Sequence, residues 1–132
     1  MSLEKDVSQI KKIVFGNMDI YKTCSSVAVD RVTSPAWILD NHTKAMSDGK
    51  TVVVVAGVSV TNDMPAGQYI KIADCHFPSP LFDSVLSMHP CATSGSILFW
   101  LDTDGALYAY RYSTAGNVVG WCRGTISALL SG

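Results

Sequence analysis

The stretch Thr51-Val52-Val53-Val54-Val55-Ala56-Gly57-Val58-Ser59-Val60-Thr61 decides the fold. Its β-branched side chains are stiff at χ1 and suit a pleated surface. Ser47-Asp48-Gly49-Lys50 before it is a turn signal, and Asn62-Asp63-Met64-Pro65-Ala66-Gly67 after it reads as a loop. The run is predicted to be a strand, with Gly57 marking a bulge or a close approach of backbone.

The same texture continues on both sides. Tyr21 to Val32 is rich in Thr, Ser and Val and ends at Ser34-Pro35; Trp37-Ile38-Leu39 is a short apolar run before the turn-like Asp40-Asn41-His42. Gln68 to Ala73 alternates, and Ile97–Asp102 and Ala106–Tyr112 flank Thr103-Asp104-Gly105 as a hairpin. Pro78, Pro80 and Pro90 punctuate an irregular stretch around Val85-Leu86, and Trp121 to Leu130 reads as the last strand. Short strands at such spacing predict an all-β, antiparallel sandwich, jelly-roll-like, or a barrel, over residues 17–132.

Residues 1–16 differ. Leu3, Val7, Ile10 and Val14 follow the 4-3-4 spacing of an a/d seam, with charged and amide residues elsewhere and Gly16-Asn17 as a stop. The spacing predicts a short helix, read either as the end of a trimeric coiled coil cut from a longer protein, with these four residues at the oligomer interface, or as a helix packed on its own domain. Two heptads do not hold alone.

Composition narrows the function classes. The 132 residues suit one domain, and 10 Lys/Arg against 11 Asp/Glu leave a net charge of −1. No basic excess exists for nucleic acid, and no apolar run is long enough to insert into a membrane. Only 16% of residues are charged and the mean hydropathy is +0.23, so part of the surface is expected to lie under another chain. No secretory leader is read at the N-terminus, which predicts cytoplasmic synthesis and free thiols at Cys24, Cys75, Cys91 and Cys122. A zinc site from Cys75-His76 or His89-Pro90-Cys91 is disfavoured, since adjacent strand residues point to opposite faces. No metal and no cofactor are expected.

From Val53 to Leu130 an ordered set of motifs resembles the C-terminal receptor-binding head of phage and prophage tail fibres. Val58-Ser59-Val60-Thr61 leads into a Pro65-Ala66-Gly67 loop and the strand Gln68–Ala73. A proline-punctuated segment follows at His76-Phe77-Pro78-Ser79-Pro80, where such heads carry Leu-Pro and Arg-Pro. The hairpin Phe99–Ala109 around Thr103-Asp104-Gly105 comes next, and Trp121-Cys122-Arg123-Gly124 closes the set. The resemblance implies a homotrimeric β-sandwich head in the virion tail, joined to other phage tail proteins and attaching to bacterial cell-surface saccharides.

The hairpin is the most informative element. Ile97, Phe99, Leu101, Leu107, Ala109 and Arg111 share one face; Leu98, Trp100, Asp102, Ala106, Tyr108, Tyr110 and Tyr112 share the other. A solvated face would be polar, so the aromatic one is a subunit interface, a second core layer, or a platform for sugar rings. In the last case Trp100, Tyr108, Tyr110 and Tyr112 stack on pyranose faces while Asp102, Asp104 and Arg111 hold hydroxyls. Catalysis has little support. Asp102 and Asp104 sit together at a turn rather than across a cleft, and no nucleophile elbow, phosphate loop or complete calcium loop is present. A purely structural virion protein that binds no ligand is the alternative.

Overall fold

The computed structural model describes residues 24–114 and 116–131. The expected helix over 1–16, with its seam of Leu3, Val7, Ile10 and Val14, lies outside these residues.

The described residues form ten strands: β1 (Ser25–Val27), β2 (Val29–Arg31), β3 (Ile38–Asn41), β4 (Lys44–Ser47), β5 (Thr51–Val60), β6 (Tyr69–Cys75), β7 (Val85–Pro90), β8 (Ser96–Leu101), β9 (Ala106–Tyr110) and β10 (Gly120–Leu129). They make two antiparallel sheets, and the fold is all-β and sandwich-like. The first sheet runs β1-β4-β5-β10, with β3 beside β4 on the same flank of β5; the second runs β2-β6-β9-β8-β7.

Alternation puts one side of each sheet inside. Val52, Val54, Ala56, Val58 and Val60 of β5 and Cys122 and Ile126 of β10 face Ile72, Ile97, Phe99, Leu101, Leu107 and Ala109 of the second sheet. Each large apolar side chain fully removed from water contributes roughly 1.5–3 kcal/mol. The expected strand at 51–61 is thus the spine of the first sheet, paired with β10 along its whole length from Gly120↔Val60 to Leu129↔Thr51.

Gly57 is neither a bulge nor a close approach. It pairs in register with Arg123, and a Cβ there would find ordinary contacts at 3.9 Å. The register shifts instead lie between Ile38 and Asp40 and between Lys71 and Ala73. Two strands lay hidden in the sequence. Lys44–Ser47 is β4, and the proline-punctuated stretch contains β7.

Both lateral edges of the sandwich are tied. Only Ala28 separates β1 from β2, so one passage of chain steps from the first sheet to the second. On the opposite side, single bridges Leu81↔Leu130, Cys91↔Cys122 and Ser94↔Val119 join the flank of β10 to the segments around β7. Pairing the edges in this way leaves fewer open backbone groups.

Asn41 ties the layers from within. Its buried amide donates to the carbonyls of Val32 and Ile72 at 3.0 and 2.8 Å, while its Oδ1 accepts from the Thr43 amide. Among the described residues no buried side-chain nitrogen or oxygen lacks a hydrogen-bond partner.

Candidate functional site

The hairpin β8–β9 carries the candidate face. Its turn is built by Asp102, whose amide donates to Ala106 O at 2.8 Å, and by Gly105, whose amide returns to Asp102 O at 3.0 Å. Gly105 has φ +91°, and a Cβ there would strike the Cys75 carbonyl, so glycine is required on both counts. One oxygen of Asp102 accepts from the Thr103 amide and one oxygen of Asp104 from the Ala106 amide. These are turn contacts, and a carboxylate has room for further donors.

With Phe99, Leu101 and Leu107 in the core, Trp100, Tyr108 and Tyr110 point outward from the second sheet and Tyr112 follows just beyond it. The cross-strand register aligns Leu86, Trp100, Tyr108 and Lys71 in one row and Met88, Leu98, Tyr110 and Tyr69 in the next. The rings lean on one another. Tyr69 stands 5.0 Å from Trp100 and 4.6 Å from Tyr110; Trp100 lies 5.3 Å from Tyr108, and Tyr110 lies 5.1 Å from Tyr112. Such pairs contribute about 0.5–1.5 kcal/mol beyond burial. Lys71 and Asp74 form an exposed ion pair at 3.2 Å on the flank.

Three members of this face were not singled out in the sequence. Tyr69 was visible as the first outward residue of an alternating strand. Leu86 and Met88 were not, because β7 inverts the usual pattern. Its apolar Leu86 and Met88 are 59% and 46% exposed, while Ser87 and His89 turn inward. The inward pair satisfies itself, with Ser87 Oγ and His89 Nε2 2.6 Å apart. The imidazole lies flat on Gly124, where any Cβ would collide with it, and 5.8 Å from Phe99.

Arg111 is placed elsewhere. Its guanidinium donates to Asn62 O, Met64 O, Asn62 Oδ1 and Gly116 O at 2.8–3.1 Å. It clamps the 62–64 loop to the 116–118 loop rather than joining the tyrosines. The two turn carboxylates keep their place at the hairpin tip.

The first sheet has an aromatic cluster of another kind. Trp121 is covered by its own neighbours, with the Arg123 guanidinium 4.7 Å above its ring and His42 5.0 Å away. His42 in turn pairs with Asp40 at 3.0 Å. A ring already occupied by an arginine and an imidazole offers little surface to a ligand.

The cysteine and histidine constellations do not gather into a site. Burial pushes the Cys75 thiol up to about 12, which keeps it protonated. His76, on the opposite face, pairs with Asp30 at 2.7 Å. All four cysteines are free. Among the described residues no three His, Cys, Asp or Glu side chains are grouped to hold a metal. No helix of the described residues is long and apolar enough to cross a membrane.

Compared with known proteins, the chain matches no family model and no curated protein.

Proposed function

We propose that the protein is the jelly-roll-like head of a phage or prophage tail fibre, a non-enzymatic module that attaches to bacterial surface saccharides as a homotrimer within the virion tail. The observation that carries this reading is the outward ladder on the second sheet, in which Tyr69 and Tyr112 are exposed and Trp100, Tyr108 and Tyr110 are half-buried against one another. Aromatic faces accept the C–H side of a pyranose, and Asp102, Asp104 and the Lys71–Asp74 pair border the ladder with groups suited to hydroxyls. Weak sites on one rigid assembly gain avidity through effective concentration, so no deep pocket is required.

A second reading, in which the face binds no ligand and is wholly a contact between subunits, draws on β7. Leu86, Met88 and Leu98 offer apolar surface with no hydroxyl-matching groups, the composition of an interface core. Light scattering at micromolar concentration and a bacterial-glycan array separate the two. The attachment reading expects a trimer that binds saccharide, with Trp100→Ala and Tyr110→Ala losing saccharide binding and cell adsorption while remaining trimeric. If those variants instead fall apart into monomers and no glycan binds the parent, the face is interface alone. A parent chain that is monomeric removes the trimer from the proposal.

A further inference from the structure

The bridge Cys91↔Cys122 stands at the lateral tie between the two sheets. We propose that Cys91 and Cys122 form a reversible disulfide that locks the end of β7 to the start of β10, with a low-molecular-weight disulfide as oxidant. The inference is independent of what the aromatic face binds.

Geometry is the first argument. The two residues lie directly opposite in antiparallel pairing. Beside them the Ala92 amide donates to Trp121 O at 2.8 Å, and the Cys91 amide is spent on Gly95 O rather than on Cys122. That is the non-hydrogen-bonded kind of cross-strand pair, in which Cα atoms approach to about 4.5 Å. Disulfides span Cα separations of roughly 4.4–6.8 Å, so the backbone needs no rearrangement. Both side chains point inward, Cys122 being fully buried and Cys91 7% exposed. Cys24 and Cys75 sit on the opposite side of the sandwich, around β1 and β6.

Electrostatics supplies an order of events. A hydrogen bond from the Cys122 thiol draws the Cys91 thiol below its ordinary range, while the same contact and burial push Cys122 up. The Cys122 thiol has a second acceptor within reach, His89 O at 3.2 Å, and its single proton serves one or the other at a time. Cys91, the one that reaches the surface, therefore supplies the thiolate. Its sulfur attacks one sulfur of the small disulfide, breaking that S–S bond and expelling a thiolate. Cys122 then gives up its proton and attacks the Cys91 sulfur, expelling the second small thiolate. The two protons lost by the protein end on the two released thiols. The protein dithiol is oxidised and the small disulfide is reduced.

The consequence lies in the edge that the bond secures. Cys91 follows directly on β7, whose Leu86 and Met88 border the aromatic ladder. Cross-linking it to β10 restricts the unfolded chain and holds that border in place.

The test uses the full chain incubated with oxidised glutathione, blocked with an alkylating reagent after denaturation, digested and weighed. The expected result is a Cys91–Cys122 linked peptide within a single chain and a raised thermal midpoint, both reversed by reductant. Cys122→Ser is expected to trap a glutathione adduct on Cys91. Should that variant fail to fold, the linked peptide and the reversible midpoint shift of the parent decide alone. Recovery of both Cys91 and Cys122 as alkylated thiols, linkage of either to Cys24 or Cys75, or a cross-link that leaves the midpoint unchanged would each overturn the proposal.

Discussion

The two outer faces of the sandwich obey the same alternation and end differently. On the first sheet, the outward positions of β10 are Trp121, Arg123, Thr125, Ser127 and Leu129, and those of β4 are Lys44 and Met46. That face mixes Trp121, Met46 and the exposed Leu129 with hydroxyls and long charged side chains, and Val53 of β5 is buried. On the second sheet the equivalent positions are Leu86, Met88, Leu98, Trp100, Tyr108, Tyr110 and Tyr69, with Lys71 the one charged member of these rows. The inner faces of both sheets build one core. The difference outside is therefore one of aromatic content, and it is the feature on which the proposed attachment role rests.

Substitutions at matched positions can break or sharpen this contrast. The largest effect is expected inside. Phe99→Ala empties a fully buried site between the sheets and should cost about 3–5 kcal/mol in denaturant unfolding. A loss below ~1 kcal/mol would mean that the inner face of the second sheet is not packed as described.

Asn41→Ala comes next, at about 1–3 kcal/mol, because the Val32 carbonyl and the Thr43 amide lose the Asn41 side chain and the Ile72 carbonyl keeps only the Val32 amide. Chemical denaturation reads it, and an unchanged midpoint would show that the layers are joined by apolar contact alone.

The outer faces are compared directly by Leu98→Lys and Thr125→Lys. At the exposed Thr125 a lysine should stay within ~0.5 kcal/mol and leave mass and adsorption untouched. At the half-buried Leu98 it should cost about 1 kcal/mol and abolish either association or saccharide binding. Equal, silent outcomes would erase the distinction between the faces.

The smallest effect belongs to the β4–β5 turn. Asp48 accepts from the amides of Lys50 and Thr51 at 2.8 and 2.7 Å and from the Thr51 hydroxyl at 3.0 Å, and these bonds lower its pKa. A lowered folded-state pKa contributes stability above the unfolded value, which is lost as pH falls through the folded one. Asp48→Asn should flatten that part of the acid limb of a stability–pH curve and leave the rest in place.

How much was legible in the sequence follows from the range of each cue. Thr51–Val60 and the hairpin 96–110 were legible because alternation, β-branched residues and an Asp-Gly turn all act within a few residues. The outward placement of Trp100, Tyr108 and Tyr110 followed from period two once Phe99 was assigned to the core. β7 was not legible, because Ser87 and His89 turn inward only where Gly124, far along the chain, makes room for an imidazole. Arg111 was read as a ligand-facing residue by residue type, yet its direction is set by carbonyls at Asn62, Met64 and Gly116.

The sequence by itself determined the all-β class, the main strands and turns, and which side of the hairpin is aromatic. These depend on local stereochemistry and on a two-residue period that no distant contact can alter. Tertiary structure alone decided that Leu86 and Met88 complete one face, that Asn41 joins the layers, and that Cys91 meets Cys122 across the tied edge. Each of these is a pairing between segments far apart in the chain. Register between distant strands is set by how the whole core closes, and no short stretch of residues encodes it.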